Sequence, residues 1–273
     1  MKRISLLIIT SVLVSSGFAQ QFPLQSQYQF NYPTINPAAN GENDFYRARA
    51  SFRNQWGGLT ENPISTQILT VTKRFNNDGL GGTVFSDKTA GIYNSSGASL
   101  SYSRRVHFES SDLFLGISAG SAKYNPVVAS EAIDKKDAIF EAAFGVYYVY
   151  NDFRFGVSVP GLTNSNIEFT ESDENTIDKH VYTMFSYERK INEDWSLHPS
   201  FLVKTTANHN QIDLNINCKV KNTLWFGTSY RQDFGPSVYI GVDLARVLAV
   251  YSMDISSTGP IADNSKGTHE ITL

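Results

Sequence analysis

Residues 211–220 read Gln-Ile-Asp-Leu-Asn-Ile-Asn-Cys-Lys-Val. Ile212, Leu214, Ile216, Cys218 and Val220 fall on one face of an extended chain, and Gln211, Asp213, Asn215, Asn217 and Lys219 on the other. A period of two with such a clean split is the pattern of a β-strand whose faces meet different solvents. The same alternation runs outward in both directions. In 140–150, Phe140, Ala142, Phe144, Val146, Tyr148 and Tyr150 share a face opposite Glu141, Ala143 and Gly145. In 238–244, Val238, Ile240, Val242 and Leu244 alternate with Tyr239, Gly241 and Asp243. In 94–105, Ala98, Leu100 and Tyr102 oppose a face of Ser and Gly.

Strands are expected at 45–56, 65–75, 79–88, 94–106, 112–123, 138–150, 153–160, 179–190, 195–206, 208–220, 222–231, 236–244, 246–255 and 267–273. An even count of about fourteen, each near the ~9–11 residues of a tilted crossing strand, suits a closed barrel in an outer membrane. Connection lengths sort by side. The long ones (57–64, 89–93, 124–137, 161–178, 232–235 and 256–266, with a bend near Ala207) alternate with short ones (76–78, 107–111, Asn151-Asp152, 191–194, Lys221 and Ala245). Short periplasmic turns and longer outer loops produce that asymmetry. Trp56, Tyr150, Trp195 and Tyr230 stand near strand ends, where interfacial aromatics belong. Alternation by itself also fits a soluble sandwich or barrel.

The N-terminus supplies a compartment. Met1-Lys2-Arg3 precedes an apolar run, Ile4–Val14, and then Ser15-Ser16-Gly17-Phe18-Ala19. This is the layout of a secretory signal, with cleavage expected after Ala19. The run falls well short of the ~18–20 residues a spanning helix needs. The expected organisation is therefore a signal peptide at 1–19, a Gln-, Asn- and Pro-rich lead-in or lumen plug at 20–44, and a barrel at 45–273. The formal net charge of −3 gives no basic excess for nucleic acid. One cysteine, Cys218, rules out an internal disulfide and a cysteine-based zinc site.

Little in the chain points to chemistry. The histidines at 107, 180, 198, 209 and 269 show no metal-ligand spacing. His198 shares a polar face with Ser196 and Ser200, the faint outline of a hydrolase. Gly79-Leu80-Gly81-Gly82 lacks the Lys-Ser/Thr of a phosphate loop and is expected to follow a tight turn at Asn77-Asp78-Gly79. No cofactor, metal or catalytic set is expected. The first strand is unusual in placing Arg47, Arg49, Ser51, Arg53 and Gln55 on one face. An arginine facing lipid near the midplane costs ~2–4 kcal/mol, so these should point into the lumen. There they are expected to form a charge cluster with acids such as Asp213, Asp243 or Glu188.

Both ends of the chain carry a resemblance. Gln25-Ser26-Gln27-Tyr28-Gln29-Phe30-Asn31, Asn36-Pro37-Ala38, Arg53-Asn54-Gln55-Trp56, Gly79-Leu80-Gly81, Asp87-Lys88 and Gly267-Thr268-His269-Glu270-Ile271 occur in that order. Together they resemble the PorP/SprF family of the Bacteroidetes type IX secretion and gliding machinery. The middle of the chain matches in pattern alone. Asn40 stands where the family usually has Ala, and the chain stops at Leu273, a few residues earlier than the family pattern. The resemblance implies a non-enzymatic outer-membrane barrel that helps export or attach large surface proteins such as adhesins. Implied partners are outer-membrane lipid, cargo bearing a C-terminal sorting domain, and the periplasmic lipoprotein and ring components of the machine. It also implies that the Asn-Pro-Ala turn and Arg-Asn-Gln-Trp strand fix the lead-in inside the barrel. The alternatives are a FadL-like passive transporter of small or hydrophobic molecules, and a hydrolase.

Overall fold

The computed structural model describes residues 23, 25–58, 64–89, 93–126, 137–163, 166–170, 173–176, 179–207, 209–232, 234–255 and 265–273. Its strands are β1 (Arg47–Gln55), β2 (Ile64–Phe75), β3 (Asp78–Thr89), β4 (Tyr93–His107), β5 (Ser111–Pro126), β6 (Asp137–Tyr150), β7 (Phe153–Val159), β8 (Asn166–Thr170), β9 (Asp173–Thr176), β10 (Val181–Tyr187), β11 (Arg189–Lys190), β12 (Trp195–Thr205), β13 (Asn210–Val220), β14 (Leu224–Arg231), β15 (Gly235–Leu244), β16 (Val247–Asp254) and β17 (Thr268–Thr272). Every pairing is antiparallel, and the order runs β10-β7-β6-β5-β4-β3-β2-β1-β17-β16-β15-β14-β13-β12. A β10–β12 pairing closes that row into a ring of 14 strands, and β11 prolongs β10 beside β12. The chain's own ends meet at the seam, with Ser51 opposite Thr272 and Asn54 opposite His269.

Every expected strand is present. The hairpin of β8 and β9 was not expected; it pairs within the connection 161–178 and stays outside the ring. The connection 127–136 and the signal segment lie outside the described residues.

The pleat sorts residues as the 211–220 pattern requires. Gln211, Asp213, Asn215 and Asn217 are buried toward the interior, whereas Ile212, Leu214 and Ile216 are exposed outward. Outward exposure of large apolar side chains recurs right round the ring, at Leu100, Ile117, Phe140, Phe155, Ile240 and Ile271 among others. A soluble barrel cannot carry an apolar belt of that extent in water, so the ambiguity left by alternation resolves to lipid outside. No described helix is long and apolar enough to cross a membrane; the crossing elements are strands. The short turns hold asparagines at positive φ, 55° at Asn76 and 49° at Asn151, a conformation their side chains tolerate best after glycine. The β2–β3 hairpin turns at Asn76-Asn77, since Phe75 pairs with Asp78 and Gly79 with Arg74. The turn expected at Asn77-Asp78-Gly79 is thus displaced by one residue or two, and the glycines belong to β3.

The wall is uneven on the long-loop side. β6 pairs with β5 from residue 137 to 150, but with β7 only from Phe144 to Tyr150. Above Val159 the chain leaves the sheet through Pro160-Gly161, and Leu162 N–H donates to Ala142 O across the step at 2.9 Å.

Candidate functional site: a lumen closed by the chain's own N-terminal segment

Residues 25–44 fill the interior of the ring, running from the long-loop half down to the short-turn rim, where they enter β1. Three short 3-10 turns shape them: Tyr28–Phe30, Tyr32–Thr34 and Pro37–Gly41. Pro33 and Pro37 each sit in the first turn of their element, where a missing N–H is harmless. Asn36 caps the third by accepting from Ala38 N at 2.9 Å. Its Nδ2 donates outward to Val146 O at 3.0 Å and Val157 O at 3.4 Å, so one amide ties the turn to β6 and β7.

Near the long-loop end, motifs from both chain termini converge. Glu270 of β17 accepts the backbone N–H of Ser26 at 2.7 Å and of Gln27 at 3.1 Å. The Gln27 side chain returns two bonds, to Glu270 O and Ser252 Oγ, each 2.8 Å. Arg53 reaches in from β1 to Asp254 at 2.8 Å and Glu270 at 3.2 Å, and its Nη1 also donates to Ser26 Oγ. Its side chain is 3% exposed, so the guanidinium is almost wholly removed from water and owes its charge balance to those two acids. Alongside, Arg231 pairs with Asp213 at 2.9 Å and donates to Gln25 O at 2.6 Å. Tyr239 donates to Ser26 O, and Asn215 to Tyr28 Oη.

Farther down, the segment touches the wall so closely that side chains are excluded. A Cβ on Gly79 would lie 2.7 Å from Gly41 Cα, and one on Gly81 would lie 2.6 Å from Asn40 Oδ1. At Gly116 it would overlap the Ala38 backbone, and at Gly145 the Asn36 side chain. These glycines, on β3, β5 and β6, form a track along which the Asn-Pro-Ala-Ala-Asn-Gly turn is seated. Asn40 donates to Ser101 Oγ at 2.6 Å. Near the short-turn rim, Glu42 accepts from Arg154 Nε at 2.7 Å and Tyr147 Oη at 3.2 Å. Tyr28, Ala38, Ala39, Phe114, Tyr147, Tyr182, Met184 and Leu202 make the apolar core between segment and wall.

The expected charge cluster is distributed differently. Arg53 pairs with Asp254 and Glu270; Asp213 pairs with Arg231, and Asp243 with Lys219 at 2.9 Å. Arg47 donates to Asn43 Oδ1, and Arg49 to the neighbouring Ala48 O. The interior placement of the arginines follows from their alternation, but the acids that pair with Arg53 stand some two hundred residues away in sequence, beyond any local pattern. Of the other motif residues, Gln55 points inward and Asn54 outward, while Trp56 turns the chain at φ 54° with its N–H on Thr268 Oγ1. Asp87 accepts from Thr66 inside; Lys88 and His269 face out, His269 against Tyr251 Oη at 2.6 Å. Ser196 and His198 do meet, at 2.8 Å, yet no carboxylate bonds that imidazole among the described residues. Among those residues there is also no group of His, Cys, Asp or Glu able to hold a metal ion.

A closed ring with an apolar exterior and a polar, self-plugged interior defines an outer-membrane β-barrel protein. Solved barrels of this class share the fold. A deletion mutant of the monoaromatic hydrocarbon channel TodX superposes with a TM-score of 0.54 at 9% identity, covering 89% of this chain and 92% of that one. The TodX toluene transporter of Pseudomonas putida gives 0.51 at 9% identity, over 89% and 91%. Omp33 of Acinetobacter baumannii gives 0.50 at 10% identity, over 84% and 95%. At such identities the likeness is one of fold alone. No curated protein matches in sequence. The family profile of the type IX secretion system membrane protein PorP/SprF matches residues 17–273, and the chain belongs to that family.

Proposed function

We propose that this barrel is a non-enzymatic outer-membrane subunit of the type IX secretion system that helps export large secreted proteins, such as adhesins, or holds them at the surface. Family membership across residues 17–273 carries the reading. The filled lumen supports its mechanism: a bore occupied by residues 25–44, bonded to the wall at both ends, suits a protein that works through its rims. In this reading the long-loop rim contacts the cargo's C-terminal sorting domain. The short turns dock periplasmic partners, after an N-terminal signal peptide has been removed. Residues 20–44 act as a fixed plug, and Ser26, Gln27, Asn36, Arg53 and Glu270 act as its structural anchors.

Deleting the gene tests the proposal. Surface adhesin should fall while its intracellular pool persists, and cargo should co-purify with the barrel from detergent-solubilised outer membrane. Unchanged surface display would overturn it. A FadL-like transport role has one observation in its favour, a cavity of about 150 Å³ beside the plug. That role predicts that deletion slows uptake of a small solute and leaves adhesins in place.

A further inference from the structure

The outward face of the wall carries a basic, polar patch near the long-loop rim. Lys88 of β3 and Lys123 of β5 both point outward and are exposed. β4 runs between them, with Asn94 paired to Lys88 and Ser96 paired to Lys123. Those two side chains face outward and are exposed as well. Round the ring from β1 toward β6 the pairings climb toward the long-loop rim by about one residue per strand, the stagger that closes a tilted barrel. Asn125, in register with Lys88 across β4, stands two residues above Lys123 on β5, so that climb brings the two lysines to one height. Strand spacings put their Cα atoms about 12 Å apart. Two extended lysine side chains can converge on one group at that separation, over the Asn94 amide and the Ser96 hydroxyl.

The level of the patch decides what stands against it. On β3 the outward apolar residues end at Val84, and on β5 at Ala119; Ser86 and Ser121 follow, and then the lysines. Four residues of tilted strand rise about 10 Å, which lifts both ammoniums out of the acyl chains and into the headgroup layer. Among the described residues at that end of β2 to β5 the one acid is Asp87, and it points into the lumen, where it accepts from Thr66. No described residue bonds to either ammonium. The far wall differs: the outward residues at the long-loop ends of β12 to β15 are Thr205, Asn210, Tyr230 and Pro236, none of them charged. Anchoring in the interface at large gives no reason for that one-sidedness; a partner seated at one place does. The anion available at that depth of the leaflet is a lipid phosphate. In a bacterial outer leaflet it is carried by lipid A, whose sugar oxygens suit the amide and hydroxyl between the lysines.

We infer that Lys88, Asn94, Ser96 and Lys123 form a binding site for one lipid A molecule of the outer leaflet, with the lysines on its phosphate and the amide and hydroxyl on its phosphate and sugar oxygens. The inference goes beyond the secretion role; it rests on the long-loop rim facing outward and not on any cargo.

Native mass spectrometry of the intact mature protein, purified in detergent and stripped of lipid, tests it with three probes: phosphorylated lipid A, the same lipid A dephosphorylated, and phosphatidylglycerol. One phosphorylated lipid A per barrel should be retained. The other two lipids should bind more weakly by about tenfold or more, as loss of one charged hydrogen bond implies. Lys88→Gln/Lys123→Gln should weaken lipid A binding by a similar factor. Lys190→Gln/Lys221→Gln removes the same charge from exposed positions at the short-turn rim and should bind as wild type does. Both double variants should keep the compact band of a folded barrel on unheated gels. Dephosphorylated lipid A binding as tightly as the phosphorylated form would overturn the site, and so would phosphatidylglycerol binding equally well. Equal binding by the two folded double variants would overturn it too. These arms read lipid alone, so they stand whatever the gene deletion shows.

Discussion

Arg53 concentrates the logic of the molecule in one side chain. On β1 its inward position is dictated by the pleat; its burial is made tolerable by Asp254 and Glu270 from the last two strands of the ring. Removing the guanidinium would leave two carboxylates together in a dry interior, a loss of about 3–5 kcal/mol by the usual cost of orphaning a buried charge. Arg53→Met should therefore lower the urea midpoint of the folded band clearly, and adding Glu270→Gln should recover part of the loss by deleting one orphaned charge. Equal midpoints for Arg53→Met and wild type would show that the network is not structural. Glycines make a second residue-scale test. Gly116→Val would drive a side chain into the Ala38 backbone, whereas a Cβ on Gly82 would meet nothing nearer than Leu100 Cδ2 at 3.7 Å. Overpacking of this kind typically costs 1–3 kcal/mol or more. Gly116→Val should destabilise the plugged barrel in the same assay, and Gly82→Ala should leave it close to wild type.

At the scale of elements, β13 shows how far the amino-acid order alone reaches. Its alternation fixes which face meets lipid, so Leu214→Arg should cost ~2–4 kcal/mol of insertion free energy if it lies near the midplane. Folded yield into vesicles would read that loss, and Asn215→Ala, on the lumen face, should insert at normal yield. Cys218 lies on the same outward face as Leu214. A membrane-impermeant maleimide should leave it unlabelled in intact membranes and label it once the protein is unfolded. The strands, their count and the sorting of the loops were all legible because a period of two is a local signal. The seating of the plug was not. Gly116 and Gly145 read simply as small interior residues until the Asn36–Gly41 turn is seen against them. Asp254 and Glu270 gave no sign of serving Arg53, since only closure of the ring brings β1, β16 and β17 together. The hairpin of β8 and β9 was hidden in a polar, acidic stretch without apolar alternation. At the first turn, Gly79 drew attention to itself as a turn former, although it is glycine for the sake of Gly41 passing beside it.

Taken whole, the molecule inverts the usual economy of a soluble domain. Apolar side chains are spent on the outside, and the interior is held by hydrogen bonds and ion pairs between a folded segment and a rigid wall. Such an arrangement has no independent plug: the segment depends on the ring for partners, and the ring depends on the segment to satisfy Glu270 and Arg154. Both rims are thereby left as the working surfaces proposed for secretion. All of this requires that β1 and β17 be neighbours. Ser51 and Thr272 face each other at that seam, 2.8 Å apart between hydroxyl oxygens. Ala50 and Leu273 exchange backbone hydrogen bonds next to them, so the pair occupies a non-hydrogen-bonded site, where Cα atoms come within ~4.5 Å and a disulfide is well accommodated. The decisive measurement is oxidation of Ser51→Cys/Thr272→Cys, in a Cys218→Ser background, in isolated outer membranes. The account predicts a near-quantitative bond that circularises the barrel chain, giving a boiled, unreduced band of altered mobility that reverts on reduction. Thiols that stay free while the protein is folded in the membrane would contradict it.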